Sequence, residues 1–347
     1  MEQQEIRSKF PVFSQNKRLV YLDNAATSQK PEGVIDRVRQ FYLSENSNIH
    51  RGNYPLSSRA SERYDHSKQT VCHWIDARTP EEIVYTKSST EAINLVAAGM
   101  DGLTGSENNI VTTELEHSSN YFPWKELCRR TGAEFRVAEA EKDGSLKTEK
   151  LLKLIDCHTK LVAVTGMSNA GGFCPDLKKI ISEAHNKGAL VLVDATQLIA
   201  HRRIFVQELD CDFLSFSSHK IYGPMGLGVL YGKQSCLELI PPLLYGGDMV
   251  LRGDGGQIIY KSNTEKFEGG TQNIGGALGL ETAIKFFRNK KTKITTAHII
   301  STLFTSSPPF SYQQQTHMSC CRSYTDNLQV CMNISTPVKY EESLSPY

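Results

Sequence analysis

The sequence has no cysteine pairs of the kind that hold zinc. Nine cysteines occur in 347 residues, but Cys72, Cys128, Cys157, Cys174, Cys211 and Cys236 fall singly and no C-x-x-C spacing is present, which argues against a metal site. An odd count at irregular spacing in so long a chain also excludes a disulfide scaffold and suits a reducing compartment; each cysteine reads as a small buried hydrophobe. Charge of one sign is lacking as well. The formal net charge is +1, so electrostatics give no reason to expect nucleic acid or an anionic membrane as a partner. No apolar run approaches the roughly 20 residues that cross a bilayer. The acidic start, Met1-Glu2-Gln3-Gln4-Glu5, has neither an apolar stretch nor Arg/Ser enrichment. A signal or transit peptide is therefore not expected, and the cytoplasm is the expected location.

The chain does contain an ordinary globular composition, with 39% hydrophobic and 22% charged residues, and enough length for a large domain plus a smaller one. From about residue 80 to 235, short apolar runs alternate with helical patterns. Ile83-Val84-Tyr85 precedes a helix over 89–98, Ile110-Val111-Thr112 one over 120–130, and Leu161-Val162-Ala163-Val164 one over 177–187. Leu190-Val191-Leu192-Val193 and Phe213-Leu214-Ser215-Phe216 complete the set. Short, mostly apolar strands between helices predict an α/β fold with a mostly parallel sheet covered on both faces. In such sheets ligands sit beyond the carboxyl ends of the strands, so the polar residues after each run are the ones to weigh.

Ser88 and Glu91 have capping-box spacing and predict a helix N-terminus, which either serves as an ordinary cap or presents N–H groups and hydroxyls to a phosphate. Asp194 follows a strand directly, with Gln197 three residues on; it could pair with a cationic ring nitrogen or cap a helix. Ser217-Ser218-His219-Lys220 follows Phe216, and a lysine in a polar, partly enclosed crevice can lose its proton and form an imine. Gly223, Gly226 and Gly228 follow in neither Rossmann nor P-loop spacing, which speaks against a nucleotide. His117, after Val111-Thr112-Thr113, could stack on a flat heteroaromatic ring or be a plain loop histidine.

Taken together, Tyr21-Leu22-Asp23-Asn24-Ala25-Ala26-Thr27, His50-Arg51-Gly52, Ser89-Thr90-Glu91-Ala92-Ile93-Asn94, Glu116-His117-Ser118-Ser119-Asn120, Val193-Asp194-Ala195-Thr196-Gln197, Ser217-Ser218-His219-Lys220-Ile221-Tyr222-Gly223-Pro224 and Phe267-Glu268-Gly269-Gly270-Thr271 resemble the class V aminotransferase superfamily of fold-type I pyridoxal phosphate enzymes. Within it they are most similar to group II cysteine desulfurases and selenocysteine lyases. The resemblance runs from about residue 10 to 288. It implies that Lys220 carries pyridoxal 5′-phosphate as a Schiff base, that Asp194 pairs with the ring nitrogen and that Gln197 bonds the ring hydroxyl. His117 would stack on the ring. Thr90, Ser217 and His219 would hold the phosphate, and Asn169 would lie near substrate and ring. Thr271 would reach the other subunit's cofactor, which implies a homodimer. The implied reaction takes L-cysteine or L-selenocysteine to L-alanine and passes sulfur or selenium to an acceptor protein.

The resemblance implies three segments: an N-terminal piece over 1–20, a cofactor-binding large domain over 21–288 and a divergent tail over 289–347. In the tail, Ser306-Ser307-Pro308-Pro309 and Gln313-Gln314-Gln315 break any pattern. The small domain that follows in the family, with its sulfur-accepting cysteine and carboxylate-binding arginine, is expected to be largely missing, and a shifted reading frame, retained intron or alternative exon would account for it. Cys320, Cys321 and Arg322 echo those groups faintly. This reading leaves three outcomes open: a desulfurase or selenocysteine lyase, another class V enzyme, or an inactive cofactor-binding protein.

Overall fold

Two opposed apolar cores dictate how the central strands form. Ile83 and Tyr85 face one core while Val84 faces the other; Val162 and Val164 oppose Leu161 and Ala163; Val191 and Val193 oppose Leu192. Side chains that alternate across a strand can both be apolar only where both faces are covered. The computed structural model describes residues 3–254, 257–261 and 263–288. Within them, strands β1 (Ile83–Thr86), β2 (Asn109–Thr113), β3 (Glu134–Ala138), β4 (Thr159–Thr165), β5 (Leu190–Asp194), β6 (Phe213–Ser217) and β7 (Gly228–Gly232) make one sheet in the order β1-β7-β6-β5-β4-β2-β3. β2 to β6 run parallel to their neighbours in that group, and β7 is antiparallel to both β1 and β6. A two-stranded hairpin, β8 (Val250–Asp254) with β9 (Gln257–Tyr260), stands apart from it.

The fold class is the expected one. Helices Ser89–Gly99, Phe122–Thr131 and Leu177–Asn186 fall where the periodicity places them, the second after a 3-10 turn over Ser118–Asn120. β3 and β7 carried too little signal to be anticipated. β3 is a sheet edge with a charged residue at alternate positions, Glu134 and Arg136, and β7 begins and ends on glycine, a residue that weakens any strand pattern.

Helix Ile274–Arg288 packs against helices Glu32–Ser44 and Pro55–Ile75. The first helices dock through Phe10, whose ring meets Tyr222 edge-on at 5.4 Å and Phe286 at 5.9 Å. Residues 3–20 thus share a small core with the segment just after Lys220. Residues 289–347, including Cys320, Cys321 and Arg322, lie outside the described residues, as do the readings made on them.

Candidate active site

The ends of the parallel strands converge on a cavity of about 350 Å³. β1 delivers Ser88, Ser89 and Thr90 to it, β2 His117 and Ser119, and β4 Thr165 and Asn169. Asp194, Thr196 and Gln197 come from the end of β5, and Ser217, His219 and Lys220 from the end of β6. Eight of the nine candidates named from the sequence therefore share one space. Thr271 does not: it is exposed and lines a second cavity, of about 160 Å³, with Tyr64, Tyr85 and Lys87.

Local chemistry builds the hydroxyl-rich side. Ser88 caps helix Ser89–Gly99, its side chain accepting the Glu91 N–H at 3.2 Å. Glu91 folds back to accept the N–H of Lys87, one residue earlier than a capping box would have it. Ser217 Oγ accepts the Ser89 N–H at 2.9 Å, fastening the helix start to β6. Thr90 Oγ1 and Ser119 Oγ are 2.7 Å apart. The helix end comes this close because β7 starts at Gly228, which pairs with both Thr86 and Ser217. A Cβ there would stand 2.3 Å from the Ser88 carbonyl carbon. Gly226 adopts φ +72° just before it. These are the steric reasons for the glycine spacing after Lys220.

Asp194 is buried, and its Oδ1 accepts the Thr196 N–H at 2.9 Å. Burial pushes its carboxyl above the usual carboxylate range, against the Thr196 hydrogen bonds and the nearby His117 and Lys220. Such an acid is stabilised as an anion by a cation placed beside it. Lys220 shows the opposite shift: burial lowers its pKa, opposed by Asp194 and Asp23. Its amine donates to the Ala25 carbonyl, which also accepts the Gln197 side-chain amide at 2.8 Å. His219, with Nδ1 3.1 Å from Thr27 Oγ1, is held at about 4 by burial and by Lys220 and Lys30.

His117 Nδ1 accepts the Ser119 N–H at 3.1 Å, which leaves the ring proton on Nε2. The loop that carries His117 is anchored from within by Glu116. Glu116 Oε1 accepts from Thr113 Oγ1 at 2.7 Å and from the Thr165 N–H at 2.9 Å, and Oε2 accepts from the Asn120 amide at 2.5 Å. Burial raises the Glu116 pKa to about 8. Glu116, Ser119, Thr196 and the Ala25 carbonyl are site groups that the sequence reading left without a role. Glu116 and Ser119 stand in the same five-residue stretch as His117, which was the only signal available for them.

The site's donor set matches a flat, cationic, phosphorylated ring. Hydroxyls and a helix N-terminus suit a phosphate dianion, a buried acid suits a protonated ring nitrogen, and a lysine of lowered pKa suits an aldehyde. Thr196 Oγ1 is buried and has no hydrogen-bond partner among the described residues, an orphan that a polar ring substituent would satisfy. These residues fit pyridoxal 5′-phosphate.

Comparison with known proteins gives the family. The aminotransferase class-V family profile matches residues 20–328. The cysteine desulfurase of Synechococcus elongatus is 41% identical over 286 residues, which cover 81% of this chain but 46% of that one, so the chain spans about half the length of this relative. A probable cysteine desulfurase of Halalkalibacterium halodurans is 43% identical over 83% of this chain and 72% of its own length. Among solved structures, the cysteine desulfurase CsdA of Escherichia coli superposes with a TM-score of 0.78 at 31% identity, covering 94% of this chain and 78% of that one. The apo cysteine desulfurase of Thermococcus onnurineus gives 0.79 at 32%, covering 93% and 75%. With the family profile matched over most of its length, the chain belongs to the aminotransferase class-V family.

Proposed function

We propose that this chain binds pyridoxal 5′-phosphate in the Lys220 cavity and acts on L-cysteine as a cysteine desulfurase-like protein, with L-selenocysteine as the related alternative substrate. The observation that carries the proposal is the convergence of Lys220, Asp194, His117 and the Ser88–Thr90 helix end on one cavity. When bound, pyridoxal 5′-phosphate supplies an aldehyde for an amine to capture and a ring that takes up electron density from the substrate's Cα. The chain's own residues supply the rest. Thr90, Ser217 and His219 face the phosphate, joined by the Ser119 hydroxyl and by the Thr90 N–H at the helix start. Asp194 provides the negative charge that keeps a ring nitrogen protonated. Lys220, with its pKa lowered by burial, presents the amine and can accept or return a proton at Cα. His117 lines the cavity with its ring proton on Nε2.

The assignments of Asn169 to the substrate side and Gln197 to the ring hydroxyl belong to this reading. So does a homodimer. The exposed position of Thr271 at a separate cavity supports a role toward a second copy rather than toward its own Lys220. A large domain over 21–288, an acceptor protein for the sulfur and a cytoplasmic location are parts of the same proposal. Among the described residues no helix is long and apolar enough to cross a membrane.

The test is to incubate the purified chain with pyridoxal 5′-phosphate, L-cysteine and a reductant, and to measure alanine and sulfide beside Lys220→Ala. Alanine formation that depends on Lys220 supports the reading. Exchange of the substrate's α-proton without alanine would restrict it to the cofactor chemistry, and absence of both would overturn it.

A further inference from the structure

We infer that Ser28 is a positioning residue for Lys220, gripping the lysine's turn on both sides. This rests on the reading of Lys220 as the cofactor-bearing amine. The Ser28 N–H donates to the His219 carbonyl at 3.0 Å, its Oγ donates to the same carbonyl at 2.8 Å, and that Oγ accepts the Tyr222 N–H at 2.7 Å. Ser28 is buried. His219 and Tyr222 bracket Lys220 and Ile221, so one side chain fixes the backbone before and after the lysine.

The turn needs such a brace. Ser218–Lys220 is a single 3-10 turn, and Tyr222 sits at φ 68°, a left-handed conformation that bulky residues rarely adopt. Phe10 and Phe287 hold the Tyr222 ring, the latter stacked at 5.0 Å, but they do not satisfy its N–H. Lys30 strengthens the same clamp through the Ser28 carbonyl and, at 3.4 Å, the His219 carbonyl. The strap that carries Ser28 also carries Ala25, whose carbonyl receives the Lys220 amine. Loss of the Ser28 hydroxyl leaves the Ser28 N–H and Lys30 on the His219 carbonyl but strips the Tyr222 N–H of its acceptor, and so loosens the turn on the far side of the lysine.

The loosened turn would admit water to the amine, and its pKa would move up toward that of an ordinary lysine. The charged and titratable groups around it are Asp194 and Asp23, which raise its pKa, and Lys30 and His219. Each unit of recovery removes about tenfold of the neutral amine at a given pH.

The probe is pyridoxal 5′-phosphate trapped with borohydride and mapped by peptide mass, as a function of pH, in the unaltered chain, Ser28→Ala, Ser28→Thr and Lys220→Ala. Absence of a Lys220 label in the unaltered chain would defeat the cofactor reading, and the Ser28 inference with it. Given that label, the expected result is a several-fold weaker Lys220 label in folded Ser28→Ala, with its pH midpoint shifted upward, and recovery toward the original profile in Ser28→Thr. An unchanged yield and midpoint in folded Ser28→Ala would overturn the Ser28 inference alone. If Ser28→Ala does not fold, hydrogen exchange of the unaltered chain decides. Exchange of the Tyr222 amide measurably slower than that of an open backbone supports the inference, and free exchange overturns it.

Discussion

Glu116 accepts the backbone N–H of Thr165 at 2.9 Å, and through that bond the loop bearing His117 is tied to the end of β4. The second Glu116 oxygen holds the Asn120 amide, and Asn120 Oδ1 in turn accepts the Trp124 indole N–H at 3.0 Å. Among the described residues every partner of this carboxyl is a donor. Above about pH 8, where the carboxyl is ionised, Glu116→Gln would set an amide NH₂ against one of them, leaving a buried donor unpaired at a cost of roughly 1–3 kcal/mol. Urea unfolding should record that loss, together with weaker pyridoxal phosphate binding. Unchanged stability and affinity would show that the loop is anchored otherwise.

Glu116 also predicts a pH dependence. Burial raises its folded pKa to about 8 from the ordinary 4.5 of a glutamate, so between those values the folded state binds more protons than the unfolded chain. Stability linked to this group is therefore largest at or below about pH 4.5 and falls as pH rises toward 8, by an amount on the order of a few kcal/mol. Denaturation midpoints at pH 6 and 8 should differ more in the unaltered protein than in Glu116→Gln. Equal slopes would contradict the assignment.

Lys220→Ala removes the only amine among the described residues placed both in the cavity and against Ala25. Borohydride reduction after loading with pyridoxal 5′-phosphate should label Lys220 in the unaltered chain and leave no specific label in the variant. A label that persists on Lys30, the other half-buried lysine near His219, whose pKa burial lowers to about 8, would reassign the reactive amine.

Asp194→Asn keeps the shape of the β5 end but removes its charge. Some cofactor should remain bound, because the phosphate contacts are untouched. Exchange of a substrate's α-proton for deuterium, followed by NMR, should slow by roughly 10²-fold or more, the scale of losing one preorganised electrostatic partner. Exchange at the original rate would remove Asp194 from its proposed role.

Gly228→Ala tests the steric origin of the phosphate end. The added methyl would meet the Ser88 backbone at 2.3 Å, and neither strand can yield easily because Gly228 pairs on both sides. A destabilisation of about 1–3 kcal/mol is expected. A greater loss of affinity for pyridoxal 5′-phosphate than for pyridoxal should accompany it. Equal losses for both would place the damage elsewhere.

The sheet and the cavity were legible in the sequence for a physical reason. Strands buried on both faces must be apolar throughout, so β4, β5 and β6 announce themselves, and the polar residues that follow them mark the site. The edge strand β3 and the glycine-ended β7 lack that signature. Ser28, Glu116 and Ala25 were not legible because their roles arise from contacts distant in sequence, or from a backbone carbonyl that no side-chain identity reveals. Thr196 was visible only as a neighbour of Asp194, and its orphaned hydroxyl is a property of the folded cavity alone.

The contact between Ser28 and His219 spans 191 residues, and this sets an order of assembly. Closing such a loop costs roughly 2 kcal/mol more than closing one of about 20 residues, and on the ribosome it must wait until the chain beyond Tyr222 has emerged. Until then the strap has no partner, and Phe10 and Phe13 have no core to enter. The parallel strands from β2 to β6 need none of these contacts, so they can form first and can outlast the strap when it detaches. Hydrogen exchange should therefore find the amides of Ser28 and Tyr222 opening before those of β5. A chain in that state would retain its sheet and nearly all its secondary structure, yet have no fixed lysine.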